Sequence, residues 1–180
     1  MTDQELVEAA RAAALRAYAP YSRFSVGCAI ESVDGEVVTG ANMENACYRL
    51  GVCAEVSALT AAQAAFGLDK IARIAVAGGS SGVGDGLVGE TVCTPCGGCR
   101  QSILEAAQLS GRDIEILCAS GDGTTHDCHR IGDLIPHGFG PANSVPDPSP
   151  PATATRAILS RPKAACAAVS ALISAHTPSR

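Results

Sequence analysis

The sequence is poor in aromatic side chains, with no tryptophan, three tyrosines and three phenylalanines among 180 residues. Its balance of charge is negative, with 13 basic and 18 acidic residues and a net charge of −5. Binding along a nucleic-acid strand depends on basic side chains for the phosphates and on aromatic ones for base stacking. A nucleic-acid partner is therefore not expected.

Long apolar segments are also missing. The polar start of the chain lacks the apolar stretch of a signal peptide, and the Ala-rich run 164–175 is too short to span a membrane. We therefore expect a cytoplasmic protein with no membrane partner. In that reducing compartment the nine cysteines favour metal or redox chemistry over structural disulfides.

Proline and charge divide the chain into two unlike parts. Eight of the ten prolines lie at or after Pro136, and all 18 acidic residues lie at or before Asp147. Four basic residues and no acidic one follow Asp147. The Pro- and Ser-rich stretch 146–155 is typical of an extended linker, which places a domain boundary near Asp147.

Helical and extended patterns alternate before that boundary. Apolar residues at helical spacing predict helices over 3–17, 52–66 and 97–109. Strands are predicted over 24–31, 36–40, 71–77, 114–119 and, with a weaker pattern, 124–130. The Gly- and Ser-rich stretch 78–89 is predicted to be a flexible loop. These elements indicate an α/β fold, with a mixed sheet of about five strands and helices packed on it.

Three thiols and one carboxylate stand at the starts of two predicted helices. Cys53 and Glu55 open the second helix, and Cys96 and Cys99 open the third. A thiolate at a helix N-terminus is stabilised by the helix dipole, which favours metal binding. Three such thiolates can hold one Zn²⁺ and leave its fourth position open. With Glu55 free to move protons, this is the layout of zinc deaminases.

Several segments in register resemble the small, homotetrameric type of cytidine deaminase. They are YAPYSRFSVG at 18–27, GANMENACY at 40–48, CAE at 53–55, PCGGCRQ at 95–101 and LIPHGFGP at 134–141. The resemblance extends from about residue 5 to 142 and implies a three-layer α/β/α fold. It implies a catalytic domain over 1–142. We expect a Pro-rich linker over 143–162 and an Ala-rich basic tail over 163–180, either flexible or a short helix.

The resemblance also implies a role for each residue of the site. Cys53, Cys96 and Cys99 would bind one zinc ion per chain, and Glu55 would carry protons in catalysis. The implied substrate contacts are Phe24 with the pyrimidine ring, Asn42 and Glu44 with the ribose hydroxyls, and the backbone of Ala54 with the base edge. Residues implied to reach a neighbour's active site in a homotetramer are Ala46, Tyr48 and Phe139.

The implied reaction is the hydrolytic deamination of cytidine and deoxycytidine in pyrimidine salvage. Glu44 disfavours a phosphate, so we expect the substrate to be the nucleoside. One position departs from the family pattern: Val56 stands where many relatives have an arginine that offsets thiolate charge. Arg100 and Arg49 are candidates to replace it.

Other interpretations remain open at this point. Cys93 could join the three thiols in a closed four-thiolate structural zinc site, in a protein without catalysis, or the thiols could serve redox chemistry. A deaminase of another aminopyrimidine, such as blasticidin S, would share the zinc motifs but not the ribose-binding segment. The stretch 126–129 (HDCH) contains metal-binding residue types, but it has no partner motif and is interpreted as surface or edge strand.

Overall fold

A computed structural model describes residues 1–81 and 86–144 of the chain. Its helices are α1 (Asp3–Ala14), α2 (Ala54–Ala65), α3 (Gly97–Ser110), α4 (Ile131–Leu134) and α5 (Pro141–Ser144). Its strands are β1 (Phe24–Ser32), β2 (Val37–Ala41), β3 (Ile71–Ser81), β4 (Leu87–Val88), β5 (Glu115–Ser120) and β6 (His126–Arg130). Short 3₁₀ turns lie at Tyr48–Leu50 and Leu68–Lys70.

The six strands form one mixed sheet in the order β2-β1-β3-β5-β6, with β4 paired to the end of β3. β3 and β5 are parallel, because α3 carries the chain from one to the other across a face of the sheet. The other pairs are antiparallel. The predicted mixed sheet is therefore confirmed, with one strand more than expected.

Helices cover both faces of the sheet. On one face, α1 buries Leu6, Val7 and Ala10 against β3 and β5 residues such as Leu117. On the other face, α2 and α3 pack against the opposite side chains of the same strands, including Val76. Alternate residues of a strand point to opposite faces, so β1, β3 and β5 are buried on both sides. The three-layer α/β/α architecture is confirmed.

The predicted loop over 78–89 was partly wrong. Residues 78–81 belong to β3, where Gly78 is paired with Val26 of β1 on one side and with Ser120 of β5 on the other. Leu87 and Val88 form β4. Glycine and serine have low strand propensity, but pairing with two neighbouring strands overrides that local preference. Residues 82–85 lie outside the described residues.

Two glycines let helices approach the sheet closely. A Cβ on Gly27 of β1 would collide with the α1 backbone at Ala10 and Ala14. A Cβ on Gly40 of β2 would lie 2.7 Å from the carbonyl oxygen of Ala54 in α2. Both glycines are therefore required by packing, and Gly40 sets the distance between the sheet and the helix that carries Glu55.

Replacing Gly40 by alanine is expected to lower the free energy of unfolding by about 1–3 kcal/mol, because backbone must move to make room for the methyl group. Urea unfolding followed by circular dichroism measures this change. The matched control is Gly86→Ala, where an added Cβ meets no atom within 4 Å. We expect it to change the free energy by less than about 0.5 kcal/mol. Equal midpoints for the two variants would contradict the packing role of Gly40.

The chain after α5 falls outside the described residues. The tail predicted over 163–180 lies there, as does the linker predicted over 143–162 apart from residues 143 and 144. The domain boundaries therefore stay a prediction. Over the part of the chain that is described, the helices are too short or too polar to cross a bilayer.

Candidate functional site

The N-termini of α2 and α3 bring three thiols together. Cys53 is the N-cap residue of α2 and Cys96 is the N-cap residue of α3, while Cys99 lies in the first turn of α3. Their three sulfur atoms lie within 4.8 Å of one another, and the Sγ atoms of Cys96 and Cys99 are 3.5 Å apart. The two helix starts thus meet as the sequence predicts.

Backbone amides and burial act on these thiols in opposite directions. The N–H group of Cys99 hydrogen-bonds the sulfur of Cys96 and lowers the pKa of that thiol. Burial, followed by the nearby carboxylate of Glu55, raises the pKa of Cys99. The pKa of Cys53 is raised chiefly by burial. Thiolates crowded together beside a carboxylate need a cation to balance their charge, which is the role a bound metal fills.

The donor set fits zinc. Thiolates are preferred zinc ligands, and three protein ligands with an open fourth position are typical of catalytic zinc sites. Among residues 1–81 and 86–144, these three thiols are the one group placed to hold a metal ion. Cys93 does not belong to this group, so the four-thiolate structural site is not favoured. The HDCH stretch forms the edge strand β6 and gathers no metal-binding cluster either.

Glu55 lies in the first turn of α2 and is 4% exposed. Its charge raises the pKa of Cys53 and Cys99, which places the carboxylate close to the thiol cluster. The side chain is therefore enclosed next to the candidate metal centre. Ala54, whose backbone is implied to contact the base edge, is the neighbouring residue and is completely buried.

Phe24 lies on the same side of the sheet as Glu55. Its ring and the sulfur of Cys93 both stand over Gly78, where an added Cβ would be 3.0 Å from Phe24 Cε1 and 2.8 Å from Cys93 Sγ. Burial and the Glu55 carboxylate raise the pKa of Cys93 to about 11. Cys93 thus shares the space over Gly78 with Phe24 and lies near Glu55, an arrangement that the sequence motifs did not indicate.

Asn42 and Glu44 follow β2 and bind the backbone near Phe24. The Asn42 side chain accepts a hydrogen bond from Val26 N–H and donates one to the carbonyl oxygen of Phe24. Glu44 accepts hydrogen bonds from the N–H groups of Tyr21 and Ser22. Hydrogen bonding with the Ser22 side chain, followed by these N–H groups, lowers the pKa of Glu44, so its side chain is a carboxylate at neutral pH.

Two cavities meet beside these residues. One, of about 370 Å³, is lined by Tyr21, Ser22, Glu44, Asn45, Tyr48 and Gly51. The other, of about 280 Å³, reaches the three thiols and is lined also by Gly51, Val52, Val56, Gly98 and Ser102. Because Gly51 borders both, the cavity at Glu44 adjoins the candidate metal centre.

The residues implied to act across a subunit boundary are exposed. Tyr48 is 80% exposed and Phe139 is 62% exposed, and Ala46 is exposed as well. The Tyr48 ring contacts Tyr21 edge to face, with 6.0 Å between ring centroids. The structure therefore brings Tyr48 to the cavity at Glu44, whereas Phe139 stands on the surface at the C-terminal side of α4.

Two side chains of α3 hold the segment that contains Phe139. Arg100 donates to the carbonyl oxygens of Pro95 and Leu134 at 2.8 and 3.2 Å. Gln101 forms a pair of hydrogen bonds with the backbone N–H and carbonyl of Phe139. Arg100 is thus engaged with carbonyl groups near the thiols. Sequence reasoning gave Gln101 no role, although it lies in the CRQ motif.

Comparison with known proteins agrees with this geometry. Residues 1–110 match the family described as the cytidine and deoxycytidylate deaminase zinc-binding region. A cytidine deaminase of Mycobacterium tuberculosis is 40% identical over 128 residues, which cover 71% of this chain and 82% of that protein. One of Halalkalibacterium halodurans is 36% identical over 139 residues, covering 77% of this chain and 95% of that protein.

A solved structure shows the same fold. The crystal structure of cytidine deaminase from Burkholderia pseudomallei has a TM-score of 0.66 and 41% sequence identity, covering 77% of this chain and 100% of that chain. The match to the family spans Cys53, Glu55, Cys96 and Cys99, the residues that meet at the starts of α2 and α3. The chain belongs to the cytidine deaminase family of zinc-binding enzymes.

Proposed function

We propose that the chain hydrolyses the amino group of cytidine and deoxycytidine, giving uridine and deoxyuridine with release of ammonia. The observation that carries this proposal is the cluster of Cys53, Cys96 and Cys99 beside the buried carboxylate of Glu55. Membership of the cytidine deaminase family supports the same reaction. A spectrophotometric assay of the purified chain with both nucleosides tests it directly.

The three thiols would hold one zinc ion per chain, with Cys53 supplied by α2 and Cys96 and Cys99 supplied by α3. When bound, zinc with three protein ligands lowers the pKa of a water molecule at its open position and so supplies hydroxide near neutral pH. The N–H group of Cys99, which hydrogen-bonds Cys96, helps to balance the negative charge of the thiolates.

Glu55 would move the protons. Its carboxylate accepts the proton that water releases and delivers it to the ring nitrogen beside C4, which makes C4 electrophilic. Hydroxide then adds to C4 and gives a tetrahedral intermediate. Glu55 takes the proton of the new C4 hydroxyl group and passes it to the amine, so that the C4–N bond breaks, ammonia leaves and the oxygen remains as a carbonyl group. The carboxylate is enclosed at 4% exposure, which favours transfer within the site over exchange with bulk water.

The remaining residues would bind the nucleoside. Phe24 packs on the pyrimidine ring, the backbone of Ala54 holds the base edge, and Asn42 and Glu44 bind the ribose hydroxyls. The Phe24 ring and the sulfur of Cys93 both stand over Gly78, and Cys93 lies near Glu55, which supports a base site beside the carboxylate. The cavity that Glu44 lines supports a ribose site next to it.

A homotetramer with shared active sites is part of the proposal. In it Ala46 and Tyr48 reach the ribose of a neighbouring subunit, and Phe139 reaches its base. The exposure of the Tyr48 and Phe139 rings supports such a contact, because rings of this size are usually buried or used at interfaces. A cytoplasmic location and a part in pyrimidine salvage complete the proposal.

Glu44 is expected to exclude nucleotides. Its ionised carboxylate borders the cavity, and a phosphate brought beside it would meet a like charge. We expect kcat/KM for CMP to be at least about 100-fold below that for cytidine, because the phosphate and the Glu44 carboxylate carry charges of the same sign. In the Glu44→Gln variant, the ratio of kcat/KM for cytidine to kcat/KM for CMP should fall by about tenfold or more. The ultraviolet assay measures kcat/KM for each substrate with the unsubstituted chain and with the variant.

The same assay separates the rival functions. Turnover of CMP but not of cytidine would overturn the role of Glu44. Turnover of blasticidin S but not of cytidine would contradict the ribose-binding role of Asn42 and Glu44. A chain that holds zinc but turns over none of these substrates would point to a structural metal site.

A further inference from the structure

The start of β1 is not held by strand pairing on the β2 side. Pairing between β1 and β2 begins at Gly27, so Phe24 and Val26 lie before the first paired residue on that side. β3 pairs with them on the other side, where Phe24 is opposite Ser80. The residue that carries the exposed ring thus sits where one of two neighbouring strands has ended.

The side chain of Asn42 takes the place of the missing strand. Its Oδ1 accepts a hydrogen bond from Val26 N–H at 2.8 Å, and its Nδ2 donates to the carbonyl oxygen of Phe24 at 3.1 Å. Its own backbone N–H donates to the carbonyl oxygen of Val26 at 3.1 Å. The amide therefore acts as an additional peptide group, and it is bonded on both sides of the Phe24–Val26 segment.

These bonds use part of the hydrogen-bonding capacity of the side chain. An asparagine amide has two N–H donors and an oxygen that accepts two hydrogen bonds. One N–H and one acceptor position are committed to β1, which leaves one of each for a ligand. Asn42 can therefore contact a ribose hydroxyl while it also holds the backbone that carries the Phe24 ring.

We propose that Asn42 is a positioning residue for Phe24, fixing the backbone of the ring-bearing residue so that the ring stands over Gly78 before substrate binds. The inference rests on the proposed function, in which that ring contacts the pyrimidine. A ring fixed in advance costs less ordering when the base arrives, so the amide contributes to base binding as well as to ribose binding.

A double-mutant cycle separates the two contributions. With cytidine as substrate, we expect Asn42→Ala to reduce kcat/KM about tenfold, mainly through KM, the size of one to two lost hydrogen bonds. We expect Phe24→Ala to reduce it by a similar or larger factor. Because the amide then has no ring to position, Asn42→Ala should reduce kcat/KM by a smaller factor in the Phe24→Ala background than in the unsubstituted chain, and the loss that remains is its contribution to ribose binding. If the loss of kcat/KM in the double variant equals the product of the losses in the two single variants, the proposal is wrong.

Hydrogen exchange of the Val26 amide provides a readout that does not depend on turnover. In Asn42→Ala, we expect this amide to exchange at least tenfold faster, while the amide of Ala29 in the paired part of β1 is unchanged. Asn42→Asp keeps an acceptor for Val26 N–H and should restore the protection. Unchanged exchange at Val26 would overturn the proposal.

The matched control is Gln63→Ala. Gln63 also bonds its side-chain amide to the backbone, accepting from Leu68 N–H at 3.2 Å, but it lies in the last turns of α2. We expect it to leave kcat/KM for cytidine and exchange at Val26 unchanged. If the unsubstituted chain fails to turn over cytidine, the proposed function fails. Hydrogen exchange at Val26 still tests whether the Asn42 side chain holds the backbone of β1.

Discussion

Replacing Glu55 by glutamine is expected to lower kcat for cytidine by about 10²–10⁴-fold, while the chain still holds about one zinc ion. Glutamine has nearly the same shape as glutamate, but its amide cannot accept and return a proton. The metal ligands Cys53, Cys96 and Cys99 are untouched by the change. Steady-state kinetics gives kcat, and metal analysis of the same preparation gives the zinc content per chain.

A matched variant separates loss of proton transfer from damage to the fold. Glu105→Gln makes the same change on α3, the helix that supplies two of the three thiols, and should leave kcat within a factor of two of the unsubstituted chain. Near-normal turnover by Glu55→Gln would contradict the catalytic assignment. Loss of zinc from that variant would show that the carboxylate supports the metal rather than the reaction.

The starts of the helices were the part of the site that the sequence could predict best. Cys53 and Cys96 each end an irregular segment and precede a run of residues with helical spacing, so their place at the N-termini of α2 and α3 follows from local pattern. That the two helix starts meet depends on the order of the strands. Resemblance to a family supplied this, whereas periodicity did not.

Local pattern failed where contacts from distant parts of the chain decide the structure. Glycine and serine at 78–81 favour a loop, but these residues complete β3 because they pair with β1 on one side, and with the end of β5 and with β4 on the other. The helix predicted over 3–17 ends at Ala14, because the next residues leave the helix to reach the loop before Phe24. Such boundaries depend on tertiary contacts that a single sequence does not contain.

The hydrogen bonds among the site residues could not be predicted from the sequence either. Asn42 bonds to Phe24 and Val26, residues 16 to 18 positions earlier, and nothing in the motif of either segment indicates that contact. The structure adds contacts of Arg100 that the sequence did not indicate. Its guanidinium donates to the carbonyl oxygens of Pro95 and Leu134, while its role as a charge partner for the thiolates stays a prediction.

The structure shows what surrounds Val56. Val56 lines the cavity that reaches the three thiols, so an apolar side chain stands at the solvent side of the candidate metal centre. The pKa of Cys99 is raised by burial and by Glu55, while the pKa of Cys96 is lowered by the N–H group of Cys99. Backbone N–H groups at the start of α3 therefore favour the thiolate form of Cys96, at a position where the α3 helix dipole acts in the same direction.

Removing Cys99 is expected to abolish both zinc binding and turnover. In Cys99→Ala the centre keeps two of its three protein ligands, and we expect the affinity for zinc to fall by more than about 10²-fold, the upper end of the loss seen when a residue that only supports a ligand is changed. Metal analysis after dialysis measures zinc per chain. Thermal unfolding with and without added zinc measures binding independently, because a ligand that binds the native state raises Tm.

Cys93→Ala is the matched comparison, since it removes a thiol three residues before Cys96 without removing a proposed ligand. The sulfur of Cys93 stands over Gly78 and is not part of the three-thiol group, so this variant should keep about one zinc ion per chain. Zinc loss from Cys93→Ala equal to that from Cys99→Ala would instead establish a four-thiolate site. A closed site of that kind has no open position at the metal, so it would also leave Glu55 without a water molecule to deprotonate. The zinc content of these two variants therefore decides between a catalytic and a structural metal centre, even before any substrate is added.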